Sequence, residues 1–587
     1  METGPAATSA PAAEMLHVGG RDRPAVYRLL FIIILVGYCC YAAGFIYRTS
    51  FLVGGHRYFC LFDDGMISMR YAKNLAHGYG LVWNPGGERV QGFTAPLWTL
   101  YMSLFHLLPI PDRLTSLPIQ VSGAVCVLIA LVYIRRLALA LAGGSARPSG
   151  EFAALSAAAL TAFYLPLNNW SLQGMEVSVL TLLVVASACI LVGRAYPGSQ
   201  ETGMPSEATF SPLPYLLLGV ATLVRMDACV LLAAMALFGA VADRGNKWRH
   251  ALWGAVMIVL AVGSQVVFGL LYYGDPLPNT YYLKMTGYPA SLRMLRGWLC
   301  FVELARHAPW WMLALGLLPL TWRRDRGRLL LLTLFLTQCA YSIYVGGDAW
   351  EWWGGANRYI TTVMPLFFVL LSVGVGEMAA RAVAELRENR RFLALVARAA
   401  AVALVVMCLV VSNRFGPSAG TEWALSEPAL NCTSNAVNVE LAEMVQAATT
   451  DRALVAVGWA GATPYFCDRA CHDLLGRCDR RIAHQRARIS TRPKAAVRFA
   501  PGHVKWDFDY SVLELRPDLV LHDVSHGQRR AELLVFYQPF RFSTRRIYAR
   551  RGSPRVRWEV LETVGAGPRP ASPPTPRTPL PPVVRHG

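Results

Sequence analysis

"CLFDDGMISMRYAKNLAHGYGLVWNPGGERVQGFTAPLW", residues 60–98, follows an apolar segment of spanning length and places two adjacent carboxylates, Asp63 and Asp64, at its end. An ionised side chain costs ~2.5–3.5 kcal/mol at a bilayer centre on insertion scales, so acids beside a span sit near water or serve chemistry. After them Ile67, Tyr71 and Leu75 fall on one helical stripe, with Arg70, Lys73, Asn74 and His77 on the opposite face. Gly78 and Gly80 end the pattern and NPGGE makes a turn. The stretch therefore predicts an amphipathic helix lying flat on the membrane, basic face toward the headgroups. One Asp suffices to cap such a helix. The second is not required by capping, and a pair points to a catalytic base with a helper, Asp63 ahead of Asp64 as the base.

The rest of the chain reads as an integral membrane protein. Its 587 residues are 54% hydrophobic and only 16% charged, well away from the soluble average. Apolar runs of spanning length lie near 29–47, 117–134, 152–168, 177–194, 251–273, 303–321, 329–345, 359–376 and 393–411. Basic clusters at Arg21–Arg28, Arg135–Arg136, Arg244–His250, Arg323–Arg326 and Arg387–Arg391 are expected inside. Alternation then forbids a simple crossing by 93–108, which should be interfacial or re-entrant. It also makes 213–241 enter and return as two short helices, with Arg225 and Asp227 at the outer turn. That gives about eleven passes. The net charge of +19 is accounted for by these loops and anionic lipid, without a nucleic-acid partner.

The expected architecture is mainly α: a polytopic membrane domain followed by an extracytoplasmic α/β domain. Residues 1–28 read as a disordered cytoplasmic tail and 29–411 as the membrane domain, with an outer loop over 48–116. Residues 412–565 read as the α/β domain, with strands in RALVAVGWAG and PDLVLH and a helix over 434–448. Residues 566–587 form a Pro-rich, disordered tail. In an oxidising compartment Cys432, Cys467, Cys471 and Cys478 should form two disulfides. The sharper alternative is a metal site of Cys467, Cys471, His472 and Cys478, whose spacing fits no standard zinc pattern.

This topology gathers Asp63, Asp64, Glu176, Arg225, Asp227, Asp275, Lys284, Asp348, Glu351 and Arg358 on one membrane face, so a cleft there is the default site. P-loop and H-E-x-x-H motifs are absent from the sequence. The string over 62–98 resembles the first outer loop of GT-C glycosyltransferases, polytopic enzymes that use lipid-phosphate-linked sugars. Within them it is most similar to the cell-wall arabinofuranosyltransferase branch. Further matches follow in order: GMEVSVL at 174–180, ATLVRMDA at 221–228, YYGDPLPNTYYLK at 272–284 and GGDAWEWWGGANRYI at 346–360. Residues 457–483 and 501–521 resemble the soluble domain of the same branch.

The resemblance implies that the acid at Asp63–Asp64 is the general base and that outer-face cations meet the donor phosphate, Arg225 first, then Lys284 and Arg358. Glu176, Asp227, Asn279, Asp348 and Trp352 are the implied substrate contacts. No cofactor is certain; a divalent cation (Mg, Mn or Ca) with Asp64 as ligand is left open. The implied activity moves a sugar, with arabinofuranose as the candidate, from a polyprenyl-phosphate donor. The acceptor would be a cell-envelope glycan, lipid or protein at the outer face of the plasma membrane. Two alternatives are a non-catalytic scaffold of envelope or motility organisation, and a transporter. A transporter would need charges along a path through the midplane rather than at one face.

Overall fold

The computed structural model describes residues 23–566 apart from 146, 196–208, 308–309, 323–324, 352–354, 387–390, 431, 491–496, 524–528 and 544. The N-terminal and Pro-rich tails expected at 1–28 and 566–587 fall almost wholly outside the described residues.

The chain begins with α1 (Arg23–Thr49) and a short hairpin, β1 (Phe51–Val53) and β2 (His56–Tyr58). Next come α2 (Asp63–Ala76), α3 (Pro96–His106), α4 (Asp112–Ala142) and the bent pair α5 (Pro148–Ala162) and α6 (Leu165–Leu172). After α7 (Val177–Ala195), α8 (Leu213–Val224), α9 (Cys229–Ala242) and α10 (Lys247–Phe268) run α11 (Asn279–Met285), α12 (Ala290–His307) and α13 (Trp310–Trp322). The membrane part closes with α14 (Arg326–Val345), α15 (Arg358–Thr361), α16 (Met364–Glu385) and α17 (Arg391–Ser412).

Seven of the described helices are long and apolar enough to cross a membrane, and the α5–α6 pair, bent by 52°, would make an eighth. Their side chains sort as lipid requires. On α1, α10 and α17, Ile33, Val36, Val259, Leu260, Val402 and Val406 are exposed, whereas Met364–Gly376 of α16 is buried throughout. An apolar surface left outside on this scale belongs against lipid, not water. The protein is a multi-pass membrane protein.

Helices α3, α8 and α9 are short, as the alternation of basic loops leads one to expect. Helices α8 and α9 form the hairpin: Tyr215 at the start of α8 and Gly239 near the end of α9 both lie against His250, so the ends remote from the Arg225 turn return to one level. The backbone breaks between them at Arg225, which is extended (φ −152°, ψ 120°). The span expected at 303–321 is different. Its first third belongs to α12, whose Arg293 and Arg296 are buried, so only α13 is apolar along its length. Helix α3 has 11 residues, about 16 Å, too short to cross. Leu100 and Leu104 on it, and Leu107 and Leu108 just past its end, remain exposed, as an interfacial helix requires.

The C-terminal region is α/β. After α18 (Ala419–Trp423) and α19 (Cys432–Ala448) come β3 (Leu454–Val457), α20 (Ala462–Cys467), β4 (Ala470–Asp473) and α21 (Arg480–Ala483). Strands β5 (Leu519–Val520), β6 (Tyr537–Phe542) and β7 (Arg545–Arg550) complete a sheet of order β4-β3-β5-β7-β6. Strand β3 is parallel to β4 and β5, while β7 is antiparallel to β5 and β6. The core of this region is shared across the junction. Ile67, Tyr71, Trp83, Phe93 and Tyr273 from the membrane-side loops pack into it, and Ala462 and Tyr465 pack into the core of the membrane helices.

Candidate active site

Helix α2 is where the sequence reading and the structure part first. It does not lie on the membrane. It is sandwiched between the membrane helices and the α/β region, and ten of its fourteen residues are buried. Its basic face is the docking seam: Arg70 donates to the carbonyls of Trp83 (2.5 Å), Pro464 and Arg469 (2.8 Å) and to Asn84 Oδ1 (2.9 Å). A guanidinium buried this way needs every donor satisfied. Backbone carbonyls of the partner region supply that better than headgroups could.

The two acids diverge because consecutive helical residues point about 100° apart. Asp63 turns into the seam. Its Oδ1 accepts the N–H of Ala462 at 2.9 Å, satisfying the first donor of α20 rather than capping its own helix. A Cβ on Gly461 would lie 2.0 Å from the Asp63 carbonyl oxygen, so only glycine admits the approach. Burial pushes the Asp63 carboxyl up to about 6, against the hydrogen bond from Ala462.

Asp64 turns instead into a cavity of about 320 Å³ at the junction. Its two oxygens accept from Arg358 (3.2 Å) and, closely, from Arg477. Burial alone would raise its pKa, but Arg477, Arg358 and Lys284 outweigh that and hold it well below the usual carboxylate range. Asp64 lines the cavity, and Asp63, expected ahead of it as the base, does not.

The expected cations separate in the same way. Arg225 lines the cavity but spends its charge on Glu176 (2.6 Å) and Asp227 (3.0 Å), with its guanidinium over the Tyr359 ring. Glu176 and Asp227 thus brace Arg225 at the hairpin tip, and its rank as first phosphate ligand is not supported. Arg358 bonds Asp348 (2.9 Å) and Asp64, and lies over Trp170. Asp348 is therefore a buried support behind the cavity wall. Lys284 lines the cavity with no hydrogen-bond or ion-pair partner for its ammonium among the described residues. Burial, then Arg477 and Arg358, bring it down to about 7.

Asn279 was expected to touch substrate. It lies outside the cavity lining, and its amide donates to the carbonyls of Gly476, Arg477 and Asp479 at 3.0–3.1 Å. It clips the α/β region to the membrane part. Trp352 lies outside the described residues. Trp350 is buried between Phe62 and Trp459 and offers no stacking platform.

The cysteine expectations fail on position. Cys432 donates to the Thr49 carbonyl, Cys478 sits beside Tyr71 and Gly92, and only Cys467 and Cys471 are neighbours, with sulfurs 3.8 Å apart and unbonded. His472 points away to Ser511 (2.8 Å). Among the described residues no three His, Cys, Asp or Glu side chains converge as a metal site. The cavity does not fit a divalent cation either, since guanidinium groups take both Asp64 oxygens and Arg225 takes the other two acids.

Sequence reasoning missed Arg477, which enters the cavity from the α/β region with Pro501. Its signal was the basic run at Arg477, Arg480 and Arg481 directly after Gly476, but nothing in the sequence placed that run beside Asp64. Much of the remaining lining is apolar, with Phe93, Trp98, Met102, Val230, Leu277 and Met285.

Comparison with known proteins supplies the frame. A protein-family profile described as a domain of unknown function (DUF8728) matches residues 429–569. A terminal beta-(1->2)-arabinofuranosyltransferase of Corynebacterium glutamicum is 26% identical over 351 residues, covering 53% of this chain. The match spans 47% of that relative, about half its length. Among solved structures, ArnT of Cupriavidus metallidurans bound to undecaprenyl phosphate superposes with a TM-score of 0.51 at 13% identity. It covers 90% of this chain and 99% of ArnT. The oligosaccharyltransferase AglB of Archaeoglobus fulgidus, in complex with an inhibitory peptide and a dolichol-phosphate, gives 0.53 at 9% identity, covering 91% and 75%. The chain has the GT-C fold of polytopic membrane glycosyltransferases and resembles, in sequence, their arabinofuranosyltransferase branch.

Proposed function

We propose that the protein is a membrane glycosyltransferase that moves a sugar from a polyprenyl-phosphate donor to an acceptor hydroxyl. The observation that carries this is the cavity itself: a largely apolar lining holds the ionised carboxylate Asp64 beside Lys284, Arg358 and Arg477. A lipid phosphate matches both features, its prenyl chain against the apolar lining and its charge against the cations.

In the reaction the acceptor oxygen attacks the anomeric carbon as the bond from that carbon to the phosphate oxygen breaks. The hydroxyl proton passes to Asp64, which the flanking cations keep ionised and so free to accept it. The phosphate leaves as an anion, and the same cations stabilise the charge that develops on it. No metal step is drawn, because the acids present are already paired.

The arabinofuranosyltransferase relative supports arabinofuranose as the sugar; we take a cell-envelope glycan as the acceptor, with a lipid or protein acceptor as the other options. The distribution of basic loops supports an orientation with the cavity and α/β region on the extracytoplasmic side, and we place the protein in the plasma membrane on that reading. The test is transfer by purified protein from a polyprenyl-phosphoryl-arabinofuranose to a synthetic arabinofuranoside. Turnover that Asp64→Asn abolishes is expected. Failure to turn over this or any other polyprenyl-phosphate sugar would leave the reading without support.

A further inference from the structure

The cations of the cavity are not equally spent. Arg225 lies between Glu176 and Asp227, and Arg358 between Asp348 and Asp64. Arg477 has a single ion-pair partner among the described residues, Asp64, which it shares with Arg358. Lys284 has none. The uncompensated positive charge is thus concentrated at Lys284 and Arg477, one from α11 of the membrane part and one from the α/β region. Burial first, and then the Arg477 and Arg358 guanidiniums, hold the Lys284 ammonium down to about 7, and an anion placed between these cations would relieve their mutual repulsion.

The Arg477 backbone is fixed before any ligand arrives. Asp473 accepts the N–H groups of Leu475 (3.0 Å) and Cys478 (2.7 Å), closing the turn that carries it. Gly476 takes the left-handed conformation that the turn needs (φ +80°). Asn279 then holds three carbonyls of the turn, and Gly92 packs so closely that a Cβ there would lie 3.2 Å from the Arg477 carbonyl oxygen and 2.5 Å from Cys478 Sγ. This many constraints on one arginine exceed what a surface ion pair receives. A planar guanidinium fixed beside a compact ammonium is the donor set that suits a tetrahedral phosphate.

We propose that Arg477, carried by the α/β region, is a phosphate ligand of the donor site, sharing one seat with Lys284 beside Asp64, and that Asn279 is its positioning residue. The proposal rests on the reading of the cavity as a polyprenyl-phosphate site. It makes the α/β region part of the donor site rather than an appended acceptor module: without the 473–480 turn the seat loses half its charge.

The test uses full-length protein in nanodiscs, with undecaprenyl phosphate and the uncharged undecaprenol as probes. Wild type should bind the phosphate at least tenfold more tightly than the alcohol. Arg477→Gln should weaken phosphate binding tenfold or more while leaving undecaprenol unchanged, and Arg477→Lys should fall between. Asn279→Ala should lower phosphate affinity with a smaller effect on undecaprenol. Arg481→Gln, a change to an exposed arginine paired with Glu514, should behave as wild type. A wild-type preference for phosphate that survives in folded Arg477→Gln, or equal loss of both probes in Arg477→Gln and Arg477→Lys, overturns the role of Arg477 alone. No preference in wild type overturns the donor reading itself.

Discussion

Asp63 and Asp64 are chemically identical neighbours with opposite electrostatics, because one is buried against a peptide N–H and the other against two guanidinium groups. Asparagine keeps the shape of either and removes only the charge. Asp64→Asn should fold and lose sugar transfer by ~10²–10⁴-fold, whereas Asp63→Asn should transfer at near wild-type rate, since an amide oxygen still accepts from Ala462. Asp63 also predicts a pH effect with a definite sign. A carboxyl raised to about 6 on folding favours the folded state while protonated. That advantage is complete below the unfolded value of about 4 and is lost as pH rises through about 6. Relative to Asp63→Asn, wild type should therefore lose on the order of 3 kcal/mol of stability between pH 4 and 7, measured as the difference between their thermal-unfolding curves. A pH-independent difference would refute the burial argument.

Lys284 titrates near 7 among Arg477, Arg358, Asp64, Asp348 and His503. Binding of a phosphodiester donor, whose own charge is constant across this range, should weaken as pH rises through 7–8 in wild type. Lys284→Arg, which stays charged, should flatten that dependence in a titration of donor binding.

At the scale of elements, the hairpin tip shows how an expected ligand becomes a brace. Arg225, 9% exposed, neutralises Glu176 and Asp227 where α8 ends and α9 begins. Removing one partner of a buried ion pair typically costs 3–5 kcal/mol. Arg225→Gln should accordingly lower the unfolding temperature strongly, and Glu176→Gln added to it should recover part of the loss. Loss of donor affinity at unchanged stability would restore Arg225 to the phosphate-binding set. The seam between α2 and α20 makes a second case. Gly461→Ala would drive a methyl group into the Asp63 backbone, and overpacking of this kind costs ~1–3 kcal/mol. Limited proteolysis should find the junction opened in that variant, with the membrane helices intact.

For the whole molecule, the order of apolar runs and basic loops leaves few topologies open. Cysteines placed at the exposed positions 88 and 108 should both label from the side that carries the α/β region, and labelling of either from the opposite side would break the scheme. Much of the fold was legible in this way, because a spanning helix announces itself through composition and length. The α8–α9 hairpin was legible through parity, and β3, β5 and α19 through periodicity. The Asp63–Asp64 pair stood out because adjacent acids beside a span carry a cost that needs a reason.

The sequence by itself determined a polytopic membrane protein with a C-terminal α/β region and an acid pair at its first outer loop. Those facts depend on local composition and period, which a linear chain displays. Only the tertiary structure decided which acid enters the cavity, since a rotation of about 100° per residue separates them and the packing of α2 sets its phase. Only it turned Asn279 from a ligand into a clip and spent Arg225 on its neighbours. Only it brought Arg477 to Asp64 across 413 residues of sequence separation. Contacts of that kind are fixed by how two cores interlock, and no local pattern encodes where they fall.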